Sequence, residues 1–182
     1  MKPWEINHQW VENDLYFDFS KAKSAFKLDQ SGHDGHGLSN FFKSVDFVVE
    51  WDNQFWLIEV KDPENGKIPA RYKNEKQREF KSDIQSDKLI EKHLFPKFRD
   101  SLIYLSLDQG IPKLPLRYIS LIGLESLEPA ELSALKSALW DKEWMKGPVR
   151  GWAKSFDVQC MNVSQWNRLL TQCPITRISQ SD

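Results

Sequence analysis

Two short apolar runs, Val45 to Trp51 and Phe55 to Lys61, carry the clearest pattern in the chain. Both are rich in β-branched and aromatic residues, and the turn formers Asp52 and Asn53 separate them, which predicts a β-hairpin. Along the second run side chains alternate, so Trp56, Ile58 and Val60 share one face while Phe55, Leu57, Glu59 and Lys61 share the other. A two-residue loop at Asp52-Asn53 pairs Trp51 with Gln54 and sets Asp46 opposite Glu59; a four-residue loop from Trp51 to Gln54 gives the same pairing. Two carboxylates and an ammonium thus meet on one patch.

Elsewhere the pattern is less compact. Residues 1 to 17 show no sustained period and read as an irregular or short-strand lead-in. Asp18 or Ser20 is placed to cap a helix from about Ser20 to Leu28, with Ala22, Ala25 and Phe26 as its apolar stripe. Ser31 to Asn40 is a glycine-punctuated loop, and Phe41, Phe42 and Lys43 lead into the first hairpin strand. After Lys61, Asp-Pro-Glu-Asn-Gly breaks the strand. Ser82-x-x-Gln85 has capping-box spacing, and Ile84, Leu89, Ile90, Leu94, Phe98, Leu102 and Leu105 recur at helical intervals to about Leu107, with Pro96 kinking or dividing the helix. Leu116 to Gly123 reads as a buried strand, Glu128 to Met145 as an amphipathic helix, and Phe156 to Val163 as a further strand. Ser164 caps a short helix through Leu170, and Ile175 to Ile178 forms an edge strand.

The 182 residues fit one domain, 1–182, able to bury a core. Lys+Arg 25 against Asp+Glu 26 gives a net charge of -1, so any polyanion has to be held by a local patch or by a metal. The N-terminus lacks the apolar core of a signal peptide, and no run approaches the ~20 apolar residues of a membrane helix, which points to a cytoplasmic protein. Cys160 and Cys173 form no C-x-x-C pair and read as reduced thiols. No phosphate-binding loop, dinucleotide fingerprint or nucleophile elbow is present.

The chemistry sits in the hairpin. Carboxylates directly opposite each other are destabilising, so Asp46 and Glu59 require a compensating cation, either Lys61 or a metal ion. A hard cation such as Mg²⁺ takes one or two carboxylates with waters and substrate phosphates, which suits this patch. The bland alternative is a solvated edge hairpin with an ordinary Glu59–Lys61 ion pair, but a charge inside Leu-Ile-Glu-Val argues against it. His33 and His36 have H-x-x-H spacing, yet the flanking glycines speak against a helical zinc site. A middle reading puts His36 on the cleft wall. Lys67 to Lys81, with Arg71 and Lys73, is a basic run beside the hairpin that serves either as a phosphate-contacting segment or as a solvated face.

Asp-x12-Glu-x-Lys across a hairpin resembles the PD-(D/E)XK nuclease superfamily. The resemblance implies an α/β fold with a central mixed β-sheet flanked by helices, restriction-endonuclease-like, and a Mg²⁺- or Mn²⁺-dependent nuclease hydrolysing phosphodiester bonds, with DNA ahead of RNA as substrate. It implies that Asp46 and Glu59 hold the metal, with the Val60 carbonyl as a further ligand, and that Lys61 completes the catalytic set. Many members carry another acid on the first helix; here that segment offers Lys21, Lys23, Ser24 and Lys27, and the nearest acids are Asp14, Asp18 and Asp29. The number of metal ions therefore stays open. Lys43, Arg71, Lys73 and Lys97 are candidate nucleic-acid contacts, Lys97 and Arg99 by their position on the helix after the motif. A targeting partner or a homodimer is compatible with so small a nuclease. The alternative function is a catalytically inactive nuclease-fold interaction module in a larger complex.

Overall fold

Asp18 does not start a helix. Its Oδ1 accepts the Ser20 N–H at 3.0 Å in a local turn, and the chain then extends as a strand. The computed structural model describes residues 1–30, 37–38, 40–154 and 156–181. A short helix α1 (Pro3–Ile6) and a 3₁₀ turn precede strands β1 (Val11–Glu12), β2 (Leu15–Phe17) and β3 (Ser24–Lys27). The expected helix over Ser20 to Leu28 is therefore corrected to a turn and a strand. Its apolar residues match a helical stripe, but β3 pairs antiparallel with β4 (Phe47–Glu50), setting Ala25 against Val49 and Phe26 against Val48. Cross-strand pairing overrides local preference here.

The hairpin of β4 and β5 (Phe55–Lys61) has the register its loop predicts, with Phe47 opposite Ile58, Val49 opposite Trp56, and the Trp51 N–H bonded to the Gln54 carbonyl at 2.8 Å. After it come α2 (Ala70–Gln85) and α3 (Phe95–Leu107), then β6 (Leu116–Ile122). Next are α4 (Pro129–Trp140), α5 (Glu143–Lys146), β7 (Phe156–Met161), α6 (Val163–Leu169) and β8 (Ile175–Arg177). The main sheet runs β3-β4-β5-β6-β7, antiparallel from β3 to β5 and parallel from β5 to β7, with helices in both parallel crossovers. A smaller antiparallel sheet has the order β1-β2-β8. The architecture is thus α/β, a mixed sheet flanked by helices.

Each face of the main sheet has its own core. Val48, Leu57, Tyr118 and Val158 face α3 and α4 through Leu94, Phe98, Leu132 and Leu135. Val49, Trp56, Ile58 and Ile119 face the small sheet and α6 through Leu15, Phe17, Trp166 and Ile175. Glu59 belongs by alternation to the first of these faces, beneath α3.

Three helix boundaries differ from the sequence expectation. Ser82 lies inside α2 rather than capping a new helix; the break falls at Ser86-Asp87, where Asp87 adopts φ 56° and turns the chain. Asn162, not Ser164, caps α6, its Oδ1 accepting the Gln165 N–H at 2.9 Å. The helix expected over Glu128 to Met145 is interrupted after Trp140. Pro96 leaves a π turn, Ile90–Leu94, directly before α3. A proline there has no N–H to give the carbonyl four residues back, that of Lys92, and that carbonyl instead accepts from Lys43 Nζ at 2.9 Å.

Candidate active site

Beyond Phe47 the two hairpin strands part, and the parting creates the site. Extending the register by one pair sets Asp46 opposite Glu59. One step further, the Val60 N–H donates to Asp46 Oδ2 at 2.6 Å instead of to backbone. Val45 turns away from β5: its N–H donates to Ser101 Oγ on α3 at 2.9 Å, and its carbonyl accepts from Asp29 N at 3.1 Å. Lys61 O accepts from Gly123 N on the β6 side, so alternation directs the Val60 carbonyl to the Asp46 side of the strand.

The carboxylates are deeply placed. Glu59 is 0 % exposed and Asp46 7 %. Lys61 Nζ lies 2.7 Å and Lys97 Nζ 3.1 Å from Glu59 Oε1. Both are ion-pair approaches without hydrogen-bond alignment, and Glu59 Oε2 has no partner among the described residues although it is shut off from solvent. Lys97 also lies 3.0 Å from Asp29 Oδ2 and 3.8 Å from Asp46 Oδ1, so one ammonium from α3 bridges three acids. A buried charged oxygen left unpaired costs on the order of 1–3 kcal/mol or more, a cost that either a proton on the facing carboxylates or a further cation would relieve.

Burial first, then the facing Glu59 carboxylate, hold the Asp46 carboxyl well above the usual carboxylate range; Lys97 and the Val60 N–H pull only partly against them. Burial opposes the Lys97 charge, but Glu59, Asp46 and Asp29 outweigh it and raise its affinity for the proton. At the rim, burial and then Lys61, Lys43 and Lys97 depress the His93 imidazole. His93 stands on the π turn, which Tyr118 anchors by donating its hydroxyl to the Leu94 carbonyl at 2.8 Å.

Asp46, Glu59, Lys61, the Val60 backbone and Lys97 thus come together. Lys43 lies beside the cluster, with no ion pair or hydrogen bond to it among the described residues: its backbone N–H donates to Asp100 Oδ2 at 3.1 Å, its ammonium donates to Lys92 O, and its charge acts on His93 together with those of Lys61 and Lys97. Arg71 and Lys73 do not join the cluster either: both lie on the solvent-facing α2, the Arg71 guanidinium covers the Tyr72 ring at 4.6 Å, and among the described residues no ion pair or hydrogen bond links either to the cluster. His33 and His36 lie outside the described residues. Asp29 reaches the cluster from the end of β3, and its signal was its place in the sequence among the nearest acids. Nothing in the sequence singled out His93.

A second buried tie holds the end of β5. Arg177 on β8 grips Asp62 with both guanidinium nitrogens, each at 3.0 Å, and lies 3.5 Å from Asp14. A Cβ on Gly123 would stand 2.3 Å from Asp62 Oδ1, so only glycine admits this carboxylate against β6. The residue after Lys61 is thereby fixed from two sides. Cys160 and Cys173 are both buried free thiols, and burial pushes Cys160 up to about 12. Among the described residues, no three His, Cys, Asp or Glu side chains are gathered as a metal-binding group, and no helix is long and apolar enough to cross a membrane.

The comparisons add no relative. No family model, no curated protein and no solved structure matched the chain.

Proposed function

We propose that the chain is a Mg²⁺- or Mn²⁺-dependent nuclease of the restriction-endonuclease-like type, hydrolysing phosphodiester bonds in nucleic acid, with DNA ahead of RNA. The observation that carries the reading is the buried Glu59 carboxylate opposite Asp46 in the hairpin register, with its Oε2 lacking a hydrogen-bond partner among the described residues. Two close carboxylates with an open acceptor and a neighbouring backbone carbonyl fit a hard divalent ion, which needs one or two protein carboxylates and takes its other ligands from water and phosphate. Asp46, Glu59 and the Val60 carbonyl would hold it. The ion would supply Lewis-acid polarisation of a phosphoryl oxygen.

The chain's own residues do the rest. Lys61, whose side chain is 23 % exposed, reaches both Glu59 and solvent, where an ammonium can stabilise charge developing on a phosphate. Lys43 and His93 lie near Lys61, since the Lys61 and Lys43 charges both act on the His93 imidazole, and they offer donors to a polyanion backbone. Lys97 is the internal counter-ion that keeps the facing carboxylates tolerable when no metal is present.

That same Lys97 favours the second reading, a catalytically inactive module whose ion cluster is purely structural. Cleavage of plasmid DNA, single-stranded DNA and RNA with Mg²⁺ or Mn²⁺ tests the first reading. Lys61→Ala should abolish cutting while leaving a cooperative fold, with a stability loss of about 1–3 kcal/mol, below the usual buried-pair cost because Lys97 remains on Glu59 and Lys61 is partly solvated. No metal-dependent cleavage of any of these, together with no calorimetric Mn²⁺ binding, would leave the second reading standing.

A further inference from the structure

At the end of α3 remote from Lys97 lies an apolar groove of about 520 Å³. That volume falls among those of small-molecule sites, roughly 300–1,000 Å³. Its floor is Leu102, Leu116 and Phe156, and one wall is the indole pair Trp144 and Trp152, with ring centroids 5.4 Å apart. The wall is built in advance. Trp152 Nε1 donates to the Trp144 carbonyl at 2.9 Å, and Gly147, at φ +79°, lets the strap fold so closely that a Cβ there would stand 2.8 Å from the Trp152 indole.

The rim supplies charge of one sign. Among the described residues, Arg150 and Lys154 are the only charged side chains lining the groove, and no acid lines it. Neither is in an ion pair among the described residues; the Lys154 ammonium has as partner the neutral Pro112 carbonyl, at 2.5 Å. Two cations with no ion-pair partner among the described residues, beside an apolar trough, match a ligand of apolar body and anionic head. A fixed aromatic wall also limits the ordering cost of binding.

We propose that this groove binds a small amphipathic carboxylic acid, its acyl or aromatic body against Leu116, Phe156 and Trp152 and its carboxylate met by Arg150 and Lys154. The site shares no residue with the carboxylate cluster, so it stands whether or not the chain cuts nucleic acid.

Calorimetric titration of the full chain with decanoate, decanol and decylamine tests it. Decanoate should bind saturably at one site, decanol at least about fivefold more weakly, and decylamine not at all. Arg150→Gln and Lys154→Gln should each weaken decanoate by up to about fivefold, the worth of one exposed ion pair, and leave decanol unchanged. Leu107→Glu, at the 79 % exposed groove lip, should weaken both. Equal binding of decanol and decanoate, insensitivity of decanoate to both cation variants, or absence of saturable binding would each overturn the proposal. So would sedimentation showing a dimer of the original chain that Leu107→Glu dissolves, because a second copy would then cover the groove.

Discussion

Replacing Lys97 by Met asks what holds the two buried carboxylates together. Met keeps most of the apolar stem, so the change removes chiefly a charge that is 15 % exposed and lies 3.1 Å from Glu59, 3.0 Å from Asp29 and 3.8 Å from Asp46. Removing one partner from a buried ion pair costs ~3–5 kcal/mol, and Lys61 remains on Glu59, so the lower end, about 3 kcal/mol, is expected for the metal-free protein. For a chain of this length that is a fall in melting temperature of roughly 6–12 °C. The loss depends on pH, and its sign is fixed. Asp46 is an acid whose folded pKa is already raised, so the protonated form favours the fold: the stability is present at low pH and is lost as pH rises through the folded pKa. Without Lys97 the pKa rises further, and the deficit should be largest near pH 8 and should shrink as pH falls toward 4. Mn²⁺ at ~100 times its dissociation constant contributes about 2.7 kcal/mol, so it should recover most of the deficit and shift the variant more than the original chain, in which Lys97 must first give way. Thermal melts from pH 4.5 to 8, with Mn²⁺ and with chelator, measure all of this. A deficit that does not change with pH would mean lost packing rather than an orphaned charge, and an unchanged metal shift would mean that Lys97 and the ion do not share a place.

Asp46→Asn should leave metal-free stability at pH 8 unchanged or higher, because it removes the repulsion facing Glu59 while its amide oxygen can still accept the Val60 N–H; the advantage should narrow toward pH 4, and calorimetry should show weakened Mn²⁺ binding. Arg177→Leu strands the fully buried Asp62 carboxylate and should cost ~3–5 kcal/mol by urea denaturation, with part recovered in the Asp62→Asn, Arg177→Leu double variant. Gly123→Ala drives a methyl against Asp62 and should cost ~1–3 kcal/mol on the same measurement.

The hairpin was legible because everything that fixes it is local. Asp52-Asn53 sets the loop, the loop sets the register, and period-two alternation sets the faces, so the meeting of Asp46, Glu59 and Lys61 follows from about sixteen consecutive positions read by one rule. Strands β6 and β7 and the apolar periodicity of α3 were legible for the same reason. The segment Ser20 to Leu28 was not, since its Ala22, Ala25 and Phe26 suit a helix as well as a strand and only pairing with Val48 and Val49 decides. Lys97 could be placed on a substrate-facing helix by analogy, but that its ammonium descends between three acids depends on how α3 lies over the sheet. The Asp62–Arg177 fork joins residues 115 apart in sequence, and no pattern within either segment announces it.

That separation also has a consequence in time. A ribosome adding ~5–20 residues per second needs roughly 6–23 s to pass from Asp62 to Arg177. Throughout this interval the strand bearing Glu59 and Lys61 has been made, but Asp62 at its end has no cation to hold it and the small sheet lacks β8. The newborn chain therefore carries the strand that bears Glu59 and Lys61 with its far end unfastened, and the end of β5 is tied down only when β8 arrives.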